Sequence, residues 1–519
     1  MTLFDLADQR AIPVPTSCGR AGTCHECIVD VKRGAEALSP PTAAEAFLRG
    51  KYRLACQAQI LDPAAEIAFG VLQRRPKILV STERNSIALD PLVTRAGGRV
   101  LYNGEDLDEY RGGIYGVAMD LGTTTMVLEI IDLETGAVRH VTSLENPQRF
   151  GGSDVMNRIS YDAGPYAGEL HKAAIHALNH ELTAACRELG ITRHMIYETV
   201  IVGNSTMRDL FFGLDVQPIG QRPYKSVIEE EWRAGKRTTT ALTSLAHKLG
   251  IMMHPKGRIY GGPLIASHVG ADTAAALLAI DFDTIREPFL LVDIGTNTEV
   301  VAGCNGRYVA ASCPAGPAFE GGLVEYGMPG CEGAIEAVRY DGVQWHCQTI
   351  GNVPPQGICG SGLIDLLAEL RRHELMTPMG VFPARRAKVE LVSGLTLSRE
   401  DASHLAQAKS ANYCGQFIVL RHLGLRPADV QRLYLAGAFA NYVSAANAID
   451  IGFLAPVPHE RIVKIGNAAA EGARRMLLSK TQRARMEQLV TTIEHVELET
   501  TPDFFDLFVE GCMFQPMEA

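Results

Sequence analysis

Apolar and polar stretches alternate along this chain, and at two places they do so in the same order. An apolar run from Ile114 ends in a short polar turn containing glycine, and a second apolar run follows at once. The run that begins near Phe289 repeats this order. Short apolar runs bounded by turn residues predict β-strands, so each place predicts a strand, a tight turn and another strand. A repeated unit of this kind implies two similar halves.

The two turns also match in their side chains. They comprise Asp120-Leu121-Gly122-Thr123-Thr124-Thr125 and Asp293-Ile294-Gly295-Thr296-Asn297-Thr298. Glycine lets the backbone approach a phosphate, and successive N–H groups and hydroxyls can donate to its oxygens. The two aspartates would repel phosphate, but they suit partners of Mg²⁺ or of its waters. We therefore predict a nucleotide site with catalytic acids at Asp120 and Asp293. Two ordinary β-hairpins are the alternative.

Four cysteines near the N-terminus predict a metal centre. Cys18, Cys24, Cys27 and Cys56 are separated by five, two and 28 residues. Three close ligands and one distant ligand are typical of a ferredoxin [2Fe–2S] site, although the plant type has four residues in the first gap. A structural zinc site usually has two CxxC-like pairs, and only one is present here. Zinc and free thiols are the alternatives, and the spacing favours the [2Fe–2S] cluster.

Composition narrows the functional classes. Of the 519 residues 46% are hydrophobic and 21% charged, which is typical of a soluble globular protein. The net charge of −10 gives no indication of a nucleic-acid surface. We expect no membrane span, since no apolar run approaches the ~18 residues it needs. The first residues lack a signal-peptide pattern, so we expect a cytoplasmic protein with reduced thiols.

Further candidates lie outside the two turns. Gly437 ends an apolar run and Ala438 follows it, so the chain there could pass flat against adenine and ribose. The alternative is an ordinary turn, which is the usual role of a glycine at a strand end. Asp272 could orient a water or contact Mg²⁺, or it could simply be an acidic residue at a helix N-terminus. Gly466-Asn467 predicts a helix start with close, alanine-rich packing.

With these motifs in order, residues 113–519 resemble the actin/Hsp70/sugar-kinase (ASKHA) superfamily. The resemblance implies an α/β multidomain protein, in which a small α+β ferredoxin-like [2Fe–2S] domain precedes a two-lobed, RNase-H-like ATPase domain. The segments it implies are the first phosphate motif at 120–125, the second at 293–298, an adenosine motif at 435–439, and connecting segments at 202–213 and 465–473. The predicted divisions are a ferredoxin-like domain at 1–72, a partly ordered connector at 73–112, and lobes at about 113–270 and 271–519.

A ferredoxin-like domain ahead of this ATPase resembles the reductive activators of corrinoid proteins. The resemblance implies ATP and Mg²⁺ as cofactors alongside the cluster, and one-electron reduction of Co(II) to Co(I). It also implies a corrinoid protein as electron acceptor and an external low-potential donor; a homodimer is compatible with it. The alternatives are an ATP-driven activator of a dehydratase or reductase, a redox-sensing small-molecule kinase, and an Hsp70-like binding switch. The last should carry a peptide-binding domain after the ATPase, for which little chain is left.

Overall fold

The structure is a computed structural model that describes residues 1–72, 87–383, 386–392, 394–437 and 440–517. The described residues form two compact units. The first unit comprises residues 1–72, 91–236 and 242–261, and the second comprises the other described residues. Ala438 of the predicted adenosine motif and residues 73–86 of the predicted connector lie outside the described residues. Within the described ranges, no helix has both the length and the apolar character to cross a bilayer.

The N-terminal part of the first unit is a small α+β domain. Its elements are α1 (Leu3–Gln9), β1 (Ile28–Arg33), β2 (Tyr52–Leu54) and β3 (Ala68–Val71). The three strands form an antiparallel sheet in the order β2-β1-β3. Helix α1 starts with a capping box, in which Thr2 and Asp5 each accept the other's backbone N–H. Such a box satisfies two N–H groups that a helix start otherwise leaves unpaired.

A second small sheet lies within the segment predicted to be a connector. It is antiparallel and comprises β4 (Val93–Ala96), β5 (Arg99–Tyr102) and β6 (Glu105–Glu109). Side chains tie it to the rest of the first unit: Tyr197 Oη donates to Asp108 Oδ2 over 3.1 Å, and His254 Nε2 lies 3.2 Å from the same oxygen. The predicted connector therefore contains regular structure over its second half.

A six-stranded mixed sheet forms the centre of the first unit. Its strands are β7 (Tyr115–Leu121), β8 (Thr125–Asp132), β9 (Val138–Glu145), β10 (Ile196–Val202), β11 (Leu242–Leu245) and β12 (Arg258–Gly261), in the order β11-β12-β10-β7-β8-β9. The helices of this part are α2 (Val155–Asp162), α3 (Glu169–Leu189), α4 (Ser205–Phe211) and α5 (Val227–Arg233). Side chains from this sheet and its helices share one hydrophobic core with the small N-terminal domain.

The second unit is built around another six-stranded sheet. Its strands are β13 (Phe289–Ile294), β14 (Thr298–Cys304), β15 (Arg307–Cys313), β21 (Arg432–Ala436), β22 (Ile462–Gly466) and β23 (Ile493–His495), in the order β22-β21-β13-β14-β15-β23. Smaller sheets contain β16 (Ala334–Tyr340), β17 (Trp345–Thr349), β18 (Gly357–Ile358), β19 (Lys388–Val392) and β20 (Leu395–Ser398). The helices are α6 (Ala271–Ala279), α7 (Gly360–Arg372), α8 (Arg399–His422), α9 (Ala445–Asp450), α10 (Ala468–Leu478), α11 (Lys480–Leu489) and α12 (Phe504–Gly511).

The two large sheets repeat one topology, as the matched turns predict. In the first, β7, β8 and β9 form an antiparallel meander, and β10 and β12 continue the sheet in parallel from β7. In the second, β13, β14 and β15 form the meander, and β21 and β22 continue in parallel from β13. Each matched turn joins the first two strands of its meander, so the sequence repeat corresponds to a repeated supersecondary unit.

Close packing of α6 on α10 depends on Gly472. A Cβ added there would lie 2.0 Å from the carbonyl oxygen of Ala275, a backbone atom that cannot move alone. Glycine-to-alanine changes inside a helix usually stabilise it by about 1 kcal/mol. Here we expect Gly472→Ala to lower the free energy of unfolding by about 1–3 kcal/mol, since the added methyl overpacks the interface. Urea unfolding of both proteins measures this, and a more stable variant would contradict the contact.

Candidate iron–sulfur and nucleotide sites

Strand pairing brings two of the four predicted cluster cysteines together. Cys27 directly precedes β1 and Cys56 follows β2, and the antiparallel register sets Ile28 opposite Leu54. The Sγ atoms of Cys27 and Cys56 consequently lie 3.3 Å apart although 29 positions separate them in the chain. This contact, together with burial, raises the pKa of the Cys27 thiol, whereas it lowers the pKa of Cys56 to about 6. The strand register thus places these two thiols side by side, where both can bind one metal ion.

The other two cysteines form a second pair in the preceding loop. Cys18 Sγ and Cys24 Sγ each lie 3.9 Å from Thr16 Oγ1. Burial raises the pKa of Cys18, but hydrogen bonds from the backbone N–H groups of Cys24 and Thr23 outweigh it and lower that pKa to about 5. Backbone donors that stabilise thiolate are what an anionic iron–sulfur cluster needs from its loop.

Glycine is required where this loop turns. Gly22 has φ +76°, and a Cβ there would lie 2.8 Å from Gln57 Nε2. Gln57 in turn donates to Cys56 Sγ over 3.4 Å, and the N–H of Gly22 also donates to this thiol. A larger residue at position 22 would displace both donors. The glycine predicted from the sequence to let the loop bend therefore also positions hydrogen bonds to a cysteine.

The two thiol pairs match the way in which a [2Fe–2S] cluster takes its protein ligands. A zinc site needs four ligands around one ion, whereas a [2Fe–2S] cluster takes its four thiolates two to each iron. All twelve cysteines are free thiols, so none of the four is committed to a disulfide. The residues present therefore fit a [2Fe–2S] cluster.

The first predicted phosphate turn is held firmly on one side. It joins β7 to β8, and a Cβ on Gly122 would lie 2.6 Å from Thr125 O. Asn146 Nδ2 donates to Gly122 O over 2.8 Å, and the Asn146 N–H donates to Thr124 O over 2.7 Å. The C=O and N–H of a trans peptide point in opposite directions. The N–H groups that follow Gly122 O and Thr124 O therefore face away from Asn146, as an anion site requires.

Two more side chains hold the same turn, a role that sequence analysis gave to neither, although Asn204 lies in the connecting segment at 202–213. Arg158 Nη2 donates to Thr123 O over 2.6 Å, and Asn204 Nδ2 donates to Thr123 Oγ1 over 2.9 Å. Asn204 also caps α4 through the N–H of Met207. A repeated Gly-Asn pair could have identified Asn204, because Asn467 caps α10 in the same way. No local signal marks Arg158, which lies 35 positions from its partner.

The second predicted turn joins β13 to β14 and lies beside Gly437. The N–H of Gly295 donates to Asn297 O over 3.2 Å. The hydroxyl of Thr296 donates to the carboxylate of Glu320. Strand β21 runs parallel to β13 with Ala436 opposite Asp293, so Gly437 follows where the turn begins. Ligands of open α/β sheets bind at such carboxyl ends.

Three carboxylates of the second unit influence one another. Asp293 and Glu299 are opposed residues of the antiparallel pair β13–β14, and Asp272 lies in the first turn of α6. Burial raises the pKa of Asp272 to about 6. Burial, and then the charges of Asp272 and Asp293, raise the pKa of Glu299 well above its ordinary value. Like charges opposed across strands are destabilising, so this group has the chemistry to attract a cation.

Sequence analysis missed Glu299, although a charged residue at the start of an apolar strand could have marked it. Glu299 is a charged residue at the start of the apolar run of β14, and it is 7% exposed. Asp120, the counterpart of Asp293 in the first unit, lies opposite Val127 instead. The structure thus places Asp272 and Asp293 in one acidic group of the second unit, whereas Asp120 belongs to the first unit.

Comparison with known protein families matches almost the whole chain. A 2Fe-2S iron–sulfur cluster binding domain matches residues 1–61, the RACo middle region matches 115–285, and the C-terminal domain of RACo, its ASKHA domain, matches 287–519. The chain belongs to the RACo family. The predicted fold class, a ferredoxin-like domain followed by an ASKHA domain, is confirmed. The finer domain boundaries and the roles of individual site residues stay predictions.

Individual relatives agree with membership of the RACo family. A corrinoid activation enzyme, RamQ of Eubacterium limosum, is 28% identical over 98% of this chain and 95% of its own length. A [Co(II) methylated amine-specific corrinoid protein] reductase of Methanosarcina barkeri is 24% identical over 76% of each chain. The solved structure of a reductive activator for corrinoid, iron–sulfur protein superposes with a TM-score of 0.74 at 26% identity, covering 100% of this chain and 96% of that one.

Proposed function

We propose that this protein uses ATP hydrolysis to reactivate a corrinoid protein by one-electron reduction of Co(II) to Co(I). The observation that carries the proposal is the presence, in one chain, of two thiol pairs suited to a [2Fe–2S] cluster and of a duplicated phosphate-binding turn. The names of the relatives supply the partner class. The scheme also requires an external electron donor of low reduction potential. It is compatible with a monomer or a homodimer. Free thiols suit a cytoplasmic location.

Cys18 and Cys24 would hold one iron, and Cys27 and Cys56 the other. When bound, the cluster supplies one-electron transfer. The protein's own contribution is the set of N–H donors from Gly22, Thr23 and Cys24, which stabilise negative charge on sulfur.

Each of the two phosphate turns would hold phosphate groups of a nucleotide, which we propose is ATP. Gly122 to Thr125 and Gly295 to Thr298 present N–H groups and hydroxyls to phosphate oxygens. Asp293, Glu299 and Asp272 would offer carboxylate oxygens to Mg²⁺, which needs few of them because it keeps waters and binds the nucleotide phosphates. When bound, Mg²⁺ neutralises phosphate charge. Gly437 would lie against the nucleoside.

ATP is needed because electron transfer by itself runs only downhill. Each ~59 mV of a one-electron gap changes the equilibrium constant tenfold, so an uphill reduction requires a second source of free energy. Nucleotide can supply it only if it binds two states of the protein with different affinity. A kinase that senses redox state would instead phosphorylate a small molecule and would need no electron acceptor. A dehydratase activator would transfer electrons to a dehydratase or reductase instead of a corrinoid protein.

An anaerobic assay of cobalt reduction tests this function. Reconstituted protein is mixed with titanium(III) citrate, a Co(II) corrinoid protein and MgATP, and the Co(I) absorption band is followed. We expect the band to form only with ATP. Cys24→Ser should abolish its formation while leaving nucleotide binding intact, because it removes a cluster ligand.

Cys304→Ser is the matched control, since Cys304 is also half-buried but lies outside the cluster loop. It should retain the wild-type rate. Co(I) formation by Cys24→Ser at the wild-type rate would refute electron transfer through the cluster. ATP-dependent phosphorylation of a metabolite, without cobalt reduction, would favour the kinase.

A further inference from the structure

An aromatic stack starts inside the cluster loop. His25 stands between Cys24 and Cys27, and its ring stacks on Phe47 with centroids 4.0 Å apart and planes inclined by 19°. Its Nδ1 lies 2.8 Å from Glu169 Oε2, at the first residue of α3. The cluster loop is thus tied, through one side chain, to both the small domain and the larger part of the first unit.

The stack continues into the larger part of the unit. Phe47 meets Phe150 edge to face at 5.5 Å, and Phe150 meets Tyr161 at 5.6 Å. Tyr161 Oη closes the group by donating to Phe47 O over 2.7 Å. Phe47, Phe150 and Tyr161 are each no more than 3% exposed and belong to one core. Close-packed interiors of this kind transmit small displacements instead of absorbing them.

Helix α2 connects the aromatic stack to the first phosphate turn. Its eight residues include both Tyr161 and Arg158. The Arg158 side chain is fully buried and donates to Thr123 O, and its Nε donates to Gly152 O over 3.1 Å. Phe150 lies in the short helical turn that Asn146 caps, and Asn146 also holds the turn at Gly122. Two routes therefore connect the aromatic stack to the carbonyl side of the phosphate turn.

We propose that one connected set of side chains couples nucleotide binding at the first phosphate turn to the cluster loop. These positioning residues are His25, Phe47, Phe150, Tyr161 and Arg158. The proposal rests on the proposed function. A phosphate seated on the N–H side of Gly122 to Thr125 would shift the carbonyl side that Arg158 and Asn146 hold. The rigid α2 and the aromatic stack would pass that shift to His25, whose neighbours in the chain include two cluster cysteines.

Thermodynamic linkage gives the proposal a measurable form. If nucleotide changes the reduction potential of the cluster, reduction must change nucleotide affinity by the same factor. Couplings between sites are commonly about 5- to 150-fold. We expect at least a fivefold effect, which for one electron corresponds to about 41 mV. Redox titrations monitored by EPR, with and without saturating Mg²⁺ and AMP-PNP, give the potential shift. Nucleotide titrations of oxidised and reduced protein give the affinity ratio.

Two variants break the connection at different links. His25→Asn removes the ring, and asparagine tolerates the left-handed backbone at φ +58°. Tyr161→Phe removes only the hydroxyl that donates to Phe47 O. Tyr197→Phe is the matched control, because it removes another buried hydroxyl bond in the same unit, to Asp108. Any direct effect of His25 on the potential is present with and without nucleotide, so it cancels in the difference.

We expect His25→Asn to abolish the nucleotide-dependent shift, Tyr161→Phe to reduce it, and Tyr197→Phe to retain it. All three should keep the cluster spectrum and bind nucleotide. Equal potentials with and without nucleotide in the wild type would overturn the proposal, as would wild-type coupling in both stack variants. Absence of a cluster or of nucleotide binding in the wild type would instead refute the proposed function.

Discussion

Asp293→Asn should slow ATP-dependent cobalt reduction at least about 100-fold while leaving the cluster spectrum unchanged, which is the scale seen when one preorganised electrostatic group is lost. Asp293 is the penultimate residue of β13, just before the second phosphate turn, and it lies opposite Glu299. The amide keeps the size of the side chain but removes the charge that would favour Mg²⁺. The loss should therefore appear in ATP hydrolysis and in the Co(I) band together, measured on the same reconstituted protein.

Asp341→Asn provides the matched control for this charge change. Asp341 is an exposed acid of the second unit whose Oδ1 accepts the N–H groups of Val343 and Gln344, and asparagine can still accept them. It should hydrolyse ATP at the wild-type rate. Together with Cys24→Ser, which spares nucleotide binding, Asp293→Asn would separate the two halves of the mechanism. An Asp293→Asn protein of wild-type activity would remove this carboxylate from the scheme.

The sequence predicted those features that depend on residues close together in the chain. The two phosphate turns could be found because each is a short strand–turn–strand unit, and the second copy made the first recognisable. The cysteine spacing was informative for the same reason. The small sheet in segment 93–109 could also have been predicted. Its two turns are Gly97-Gly98 and Asn103-Gly104, which are residue pairs typical of β-hairpins. Its short, charged strands hid the alternation that would have predicted a sheet.

Contacts between distant positions could not be predicted from those patterns. The 3.3 Å approach of Cys27 and Cys56 depends on the register of β1 and β2. The opposition of Asp293 and Glu299 depends likewise on the register across the second turn. Arg158 reaches Thr123 only because α2 packs beneath the turn, and no spacing rule encodes that. Side chains that hold a functional loop from behind therefore emerge only once the fold is known.

Gly437→Ala is expected to weaken nucleotide binding at least about tenfold, or about 1.4 kcal/mol, and to destabilise the second unit by roughly 3 kcal/mol or more. Gly437 has φ +110°, where side chains with a Cβ are strained, and a Cβ there would lie 2.1 Å from Ile294 O. Ile294 immediately precedes Gly295 of the second phosphate turn. Relief of the clash must therefore move this turn, since the contacted atom belongs to its backbone. Calorimetric titration with AMP-PNP and urea unfolding measure the two effects.

Gly424→Ala separates this clash from simple backbone strain. Gly424 also has a positive φ, +72°, but a Cβ there would meet nothing within 4 Å. We expect it to cost roughly 1–2 kcal/mol of stability, the usual penalty of a left-handed residue, and to leave nucleotide affinity unchanged. If Gly437→Ala resembled this control in both measurements, the backbone of the second turn would not depend on Gly437. A larger loss confined to Gly437→Ala would tie the shape of the turn to the strand end beside it.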